Sequence, residues 1–129
     1  MIKFLSEEWL AERSRLAWTA PPALSDSTVR IQHVVTGGPD GTVHYYDDVV
    51  DGRLLTSGLG EIEAPSVIIT NDWSDELAVL RGQVDPADIL LAGRVVVEGD
   101  QQKLLGMVPA LISPTAAALV VELAAITEV

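Results

Sequence analysis

Residues 28–60 read TVRIQHVVTGGPDGTVHYYDDVVDGRLLTSGLG, and this stretch decides the fold. Its first run, Thr28 to Thr36, is rich in β-branched residues, and Val29 and Ile31 alternate with Arg30 and Gln32. Such a run is a strand with one face turned to a core. Gly37-Gly38-Pro39-Asp40-Gly41 then gathers residues that permit positive φ or fix it, which marks a hairpin loop. A second strand covers Thr42 to Val50, Asp51-Gly52 is a two-residue hairpin signal, and Arg53 to Leu59 forms a third strand. Three antiparallel strands in a meander follow.

Downstream, Ser66 to Thr70 holds Val67, Ile68 and Ile69 in succession, a short aliphatic run of the kind found in strands buried on both faces. The period then changes. Asn71 or Asp72 can cap a helix with Asp75 and Glu76 in its first turn, and Trp73, Leu77, Leu80 and Val84 recur on one face until Gly82 stops the regular run. Asp85-Pro86 opens a short helix with Ile89, Leu90 and Leu91 as apolar positions, closed by Gly93. Arg94 to Glu98 is a fifth strand, and Asp100 caps a helix from Gln101 to Val108. Beyond Pro109 and Pro114, Thr115 to Glu128 is helical and apolar nearly all round, so it is buried or covers something apolar.

Upstream, Leu5 to Trp18 is an amphipathic helix with Ser6 as N-cap and Glu7 and Glu8 in the first turn, ending before Pro21-Pro22 in a loop from Ala20 to Ser27. A mostly antiparallel five-stranded sheet with helices gathered on one face is an α+β architecture.

The chain has 129 residues, enough for one domain spanning 1–129. Lys plus Arg total 8 against 19 Asp plus Glu, a net charge of −11 that repels phosphate backbones and anionic head groups. Nucleic acid is therefore not an expected partner. With no cysteine, thiolate zinc sites, disulfides and cysteine nucleophiles are excluded. The start MIKFLSEEWLAERSRL lacks the pattern of a signal peptide, and the uncharged run from Leu104 to Val121 is broken by Gly106, Pro109, Ser113 and Pro114. The expectation is a cytoplasmic protein without stable membrane insertion.

Catalytic patterns are weak. The glycines near Gly37 lack the Gly-Lys-Ser/Thr ending of a phosphate loop, and Leu55 stands where a nucleophile elbow around Ser57 needs glycine. His33 and His44 lie on adjacent expected strands and could form a pair with Asp47 or Asp48, but a register change of one residue decides whether they share a face. Asp47, Asp48 and Asp51, with Glu61 and Glu63, read as a solvated acidic sheet edge rather than a cation site. No metal and no cofactor is expected.

The run ITNDWSDELAVLRGQVDPADILLAGRVVVEGDQQKLLGMVP, residues 69–109, resembles the sterol carrier protein type-two (sterol-binding domain) family. The resemblance lies in the order of Asp72 to Glu76, Gly82, Asp85-Pro86, Gly93-Arg94, Gly99-Asp100 and Leu104-Leu105, and extends upstream through the hairpin GGPDGTVHYY. It implies helices enclosing an apolar tunnel against the sheet, and a non-catalytic module that holds or transfers a sterol, fatty acid or acyl chain. The ligand-binding candidates it suggests are Ile69, Trp73, Leu77, Leu80, Ile89, Leu105, Val108, Leu111 and Leu119.

Two other readings compete. In one, the apolar segment 113–129 is a protein interface that makes a homodimer, and the module is structural. In the other, an enzyme, His33, His44 and an acidic residue would have to converge.

Overall fold

The computed structural model describes residues 1–19, 28–51, 53–106 and 114–128. A first strand β1 (Ile2–Lys3) leads into helix α1 (Glu7–Thr19). The meander follows as β2 (Val29–Gly38), β3 (Gly41–Val50) and β4 (Arg53–Leu59). Then come β5 (Val67–Asp72), helices α2 (Trp73–Leu80) and α3 (Pro86–Leu91), β6 (Val96–Gly99), α4 (Gln101–Leu105), α5 (Pro114–Ile126) and β7 (Thr127–Glu128). The central sheet has the order β4-β3-β2-β5-β6. It is antiparallel throughout except where β2 and β5 run parallel.

Register sets the two faces of this sheet. Val29 lies opposite Val49, Ile31 opposite Asp47, His33 opposite Tyr45 and Val35 opposite Val43. On the other side Ile31 meets Val67, His33 meets Ile69 and Val35 meets Asn71. Side chains two apart share a face, so these residues form one surface, and the helices cover it in two apolar clusters. Val35 and Tyr45 pack with Phe4, Leu5, Trp9, Leu10, Leu80 and Leu123. Val29, Ile31, Val49 and Val67 pack with Leu104, flanked by Ile69, Leu90 and Val97.

The opposite face is crossed by the segment that carries the chain from edge strand β4 to β5. Gln32, buried on that face, holds the crossing in place. Its Oε1 accepts from the Ile62 N–H at 2.8 Å, and its Nε2 donates to the carbonyls of Gly60 and Tyr45, each at 3.0 Å. Ser66 N–H donates to the Arg30 carbonyl at 2.8 Å and starts the β2–β5 pairing. At the far edge Gly99 has φ +102°, and a Cβ there would meet the Ser66 carbonyl oxygen at 2.5 Å, so only glycine fits.

Most local expectations match these elements, with differences at the ends. Ser6 Oγ accepts from Trp9 N–H at 3.2 Å and caps α1. The strand expected from Arg94 begins at Val96, and α4 ends at Leu105 with Gly106 as its C-cap; Met107 and Val108 of its expected run fall outside the described residues, as does the loop expected over 20–27. The last helix stops at Ile126. Thr127–Glu128 then leave it to pair in parallel with Ile2–Lys3, joining the two ends of the chain. The Trp9 indole N–H donates to Thr127 Oγ1 at 2.8 Å, and Thr127 Oγ1 in turn donates to the Leu123 carbonyl.

Candidate functional site

Helix α2 is the wall on which two different environments meet. Its residues Trp73, Leu77 and Leu80 follow the 4 and 3 spacing of one helix face. Leu80 is buried in the core, while Trp73 and Leu77 pack at its margin. Together with Phe4, Lys3, Pro39 and Glu128, Trp73 and Leu77 line a half-open pocket of ≈ 310 Å³, at the lower end of the range for small-molecule sites. Phe4 stands edge-on to Trp73 and Trp9, with ring centroids 5.1 and 5.0 Å away. Its rigid aromatic wall comes from both halves of the chain, and its mouth is polar, with Lys3 paired to Asp40. Phe4 was not among the sequence candidates, because nothing in a short N-terminal strand signals its partner.

The other expected ligand residues are spread more widely. Leu119 flanks the same cluster from α5, and Ile69 flanks the second cluster from β5. Ile89 is buried on α3, whereas Leu105 is exposed at the end of α4. Val108 and Leu111 lie outside the described residues. Helix α5 faces the core with Leu119, Leu123, Ala124 and Ile126, and turns Val121 outward, 70% exposed.

Between the two apolar clusters the sheet carries a buried polar strip that the sequence did not disclose. Asp47 was expected on a solvated sheet edge; instead β3 is flanked on both sides, and period-2 geometry places Asp47 on the helix-covered face with Tyr45 and Val49. Arg13 of α1 reaches down to it, with guanidinium nitrogens 2.5 and 3.2 Å from the two carboxylate oxygens. Ser57 Oγ donates to Asp47 Oδ1 at 2.9 Å, and His33 Nε2 lies 2.9 Å from Oδ2. Burial works to raise the Asp47 pKa, but the charges and hydrogen bonds of Arg13 and His33 outweigh it and hold the carboxyl well below the usual range. The His33 ring stacks on Tyr45, centroids 4.2 Å apart. Tyr45 Oη donates to Glu76 Oε1 at 3.4 Å, and Asn71 Nδ2 donates to the same oxygen at 3.0 Å. Burial, then the nearby Glu76 and Asp47, push the Tyr45 hydroxyl well above its ordinary pKa, so it remains a donor.

Chemically this strip is not a nucleophilic triad. Ser57 and His33 both bond the same carboxylate, and no hydrogen bond joins the serine to the imidazole. Nor do the two histidines pair: His33 is opposite Tyr45, and its neighbour Val34 is opposite His44, so the imidazoles occupy opposite faces. Among the described residues no group of three or more His, Asp or Glu side chains is placed to hold a metal ion. No helix among the described residues is long and apolar enough to cross a membrane.

No family model matches the chain, and no curated protein matches it. Solved structures do. A sterol carrier protein 2 superposes with a TM-score of 0.70 at 20% identity, covering 95% of this chain and 97% of the other. The palmitated SCP2L2 of Aedes aegypti gives 0.65 at 20% identity, over 84% and 96%. A conserved hypothetical protein of Thermus thermophilus gives 0.58 at 20% identity, over 96% and 89%. Agreement over nearly the full length of both chains means that this chain, with its five-stranded α+β sheet, has the sterol carrier protein 2 fold.

Proposed function

We propose that the chain is a non-catalytic lipid-binding module, which takes the apolar part of a sterol, fatty acid or acyl chain between its sheet and its helices. The observation that carries this is the pocket against Phe4, Trp73 and Leu77, opening on the helix-covered side of a sterol carrier protein 2 fold. An aliphatic and aromatic wall suits a ligand made of methylenes, each of which gains about 0.8 kcal/mol when buried. The SCP2L2 structure at 20% identity is of a palmitated protein, which supports an acyl chain as one ligand. Continuation of the pocket into the apolar layer beside Leu80 and Leu119 would give the tail its length.

The charge of −11 opposes docking to anionic bilayers. Transfer within the cytoplasm, to a protein acceptor, fits that charge better than membrane insertion. Native mass spectrometry of the protein incubated with palmitate, joined to displacement of a fluorescent acyl probe, tests the reading. A one-to-one complex supports it, and absence of binding in both assays removes it.

A second reading, a homodimer through 113–129, draws on Val121, which is exposed on α5 with Ala117 and Ala125 a turn to either side. Sedimentation of wild-type protein against Val121→Glu tests it: a dimer that the charge dissociates supports it, and a monomer at all concentrations excludes it.

A further inference from the structure

Charge at the mouth of the pocket does not balance. Two charged side chains line it, Lys3 and Glu128, and the parallel pairing of β1 with β7 sets them opposite one another. The Lys3 ammonium is taken by Asp40, the neighbour of the lining residue Pro39, in an exposed ion pair. The Glu128 side chain is exposed and has no ion pair or hydrogen bond among the described residues. One ammonium therefore answers two carboxylates, and the mouth is left negative.

Behind this rim the wall is aromatic. Trp73 is half-buried and Phe4 buried, and their rings meet at 67° with centroids 5.1 Å apart, so the two planes form a corner. The indole also lies tight against the end of β2, where a Cβ on Gly38 would meet Trp73 Cε3 at 3.0 Å. Its position is thereby fixed before any ligand arrives. The face of an aromatic ring is the negative end of its quadrupole and attracts cations, indole most strongly. An aromatic corner with an unmatched carboxylate at its rim suits an alkylated ammonium, and Lys3, the lining cation, is already bonded to Asp40. The whole chain acts in the same direction, since its charge of −11 draws cationic ligands and repels anionic ones.

We propose that this pocket selects an amphiphile with a positively charged head group, an alkylated ammonium held by Trp73, Phe4 and Glu128. A carboxylate head group would face Glu128 and Asp40 with only the paired Lys3 to meet it. A neutral hydroxyl forgoes the attraction of the ring faces and of the carboxylate. The inference rests on the lipid-binding reading above and gives that ligand a charge which the reading leaves open.

The test is displacement of a fluorescent acyl probe from the full chain by decyltrimethylammonium, decanol and decanoate, which share one tail, each below its micelle-forming concentration. The expected result is that the ammonium binds about tenfold more tightly than the alcohol, a ratio equivalent to about 1.4 kcal/mol, and that the carboxylate binds no better than the alcohol. Glu128→Gln and Trp73→Leu each reduce the ratio to about threefold or less. Glu98→Gln makes the same change of net charge at an exposed residue of edge strand β6 that does not line the pocket, and leaves the ratio unchanged. Equal binding of ammonium and alcohol overturns the inference and leaves the lipid-binding reading intact, as does preference for decanoate. A tenfold ratio that Glu128→Gln does not lower overturns it also, because attraction to the overall charge then accounts for the preference. Failure of the probe and of all three ligands to bind overturns both readings. Decylphosphocholine separates two sources of the head group: binding equal to that of the trimethylammonium supports a choline lipid, and binding at the level of the alcohol supports a long-chain ammonium without phosphate. Glu128→Gln, at an exposed position, decides even where Trp73→Leu does not fold.

Discussion

Arg13 and Asp47, 34 residues apart in sequence, meet as a two-point ion pair that fastens α1 onto the middle of the sheet. The Asp47 side chain is 5% exposed and that of Arg13 24%, so the pair is shielded from water on the carboxylate side. Burying the charges costs desolvation energy, which is offset only because Ser57 and His33 supply the remaining hydrogen bonds.

Removing one partner should therefore harm more than removing both. Arg13→Met leaves Asp47 uncompensated and should lower stability by about 3 kcal/mol, whereas adding Asp47→Leu to it should restore a large part of the loss. Urea unfolding of the two variants and the wild type checks this. A double variant as unstable as the sum of the single changes would contradict it.

The same carboxyl sets an acid limit. Its folded-state pKa is depressed, so its contribution is fully present above the unfolded value of about 3.9 and is lost as pH falls below that. In that acid window the unfolded state binds a proton that the folded state refuses, and stability should fall by about 1.4 kcal/mol per pH unit on account of Asp47 alone. Asp47→Asn should show a correspondingly shallower slope below pH ~4 and no change of slope above pH ~5. Unfolding free energies measured across that range give the comparison.

A second ion pair links the pieces of the family-like run. Asp75, 6% exposed in α2, is met by Arg94 just ahead of β6. Arg94 is half-exposed, so its loss should cost about 1–2 kcal/mol, mostly through the unpaired Asp75 left behind. Arg94→Met should be partly rescued by Asp75→Asn, as read by thermal unfolding.

Gln32→Leu should release the crossing segment. The Ile62 amide loses its buried acceptor and the Gly60 carbonyl its donor, at a combined cost of about 2 kcal/mol. Hydrogen exchange at Ile62 should accelerate while exchange in the β2–β3 ladder follows only the global loss.

Much of the fold was legible because it is written in short-range patterns. The Asp51 turn, with φ +51°, is the left-handed turn that Asp-Gly announces, and the period change after Asp72 coincides with the start of α2. What escaped has no local pattern. The strands β1 and β7 are two residues each, too short for any period, and depend on a contact between chain ends. The polar strip was misread for a different reason. Asp47 next to Asp48 looks like a solvated pair, yet alternation through Tyr45, Asp47 and Val49 places it inward, and only its distant partner Arg13 makes that tolerable. The aliphatic candidates were chosen from helix spacing, which finds Trp73 and Leu77 at the pocket but cannot distinguish them from Leu105, exposed one turn past a cap.

The central claim, an apolar chain held between sheet and helices, is tested most directly by isotope-filtered NMR of the protein with a long-chain ligand. Methylene protons should give nuclear Overhauser contacts to Phe4, Trp73 and Leu77, which wall the pocket. Contacts confined to the exposed Leu91 and Leu105, or no contacts at saturating ligand, would contradict the account.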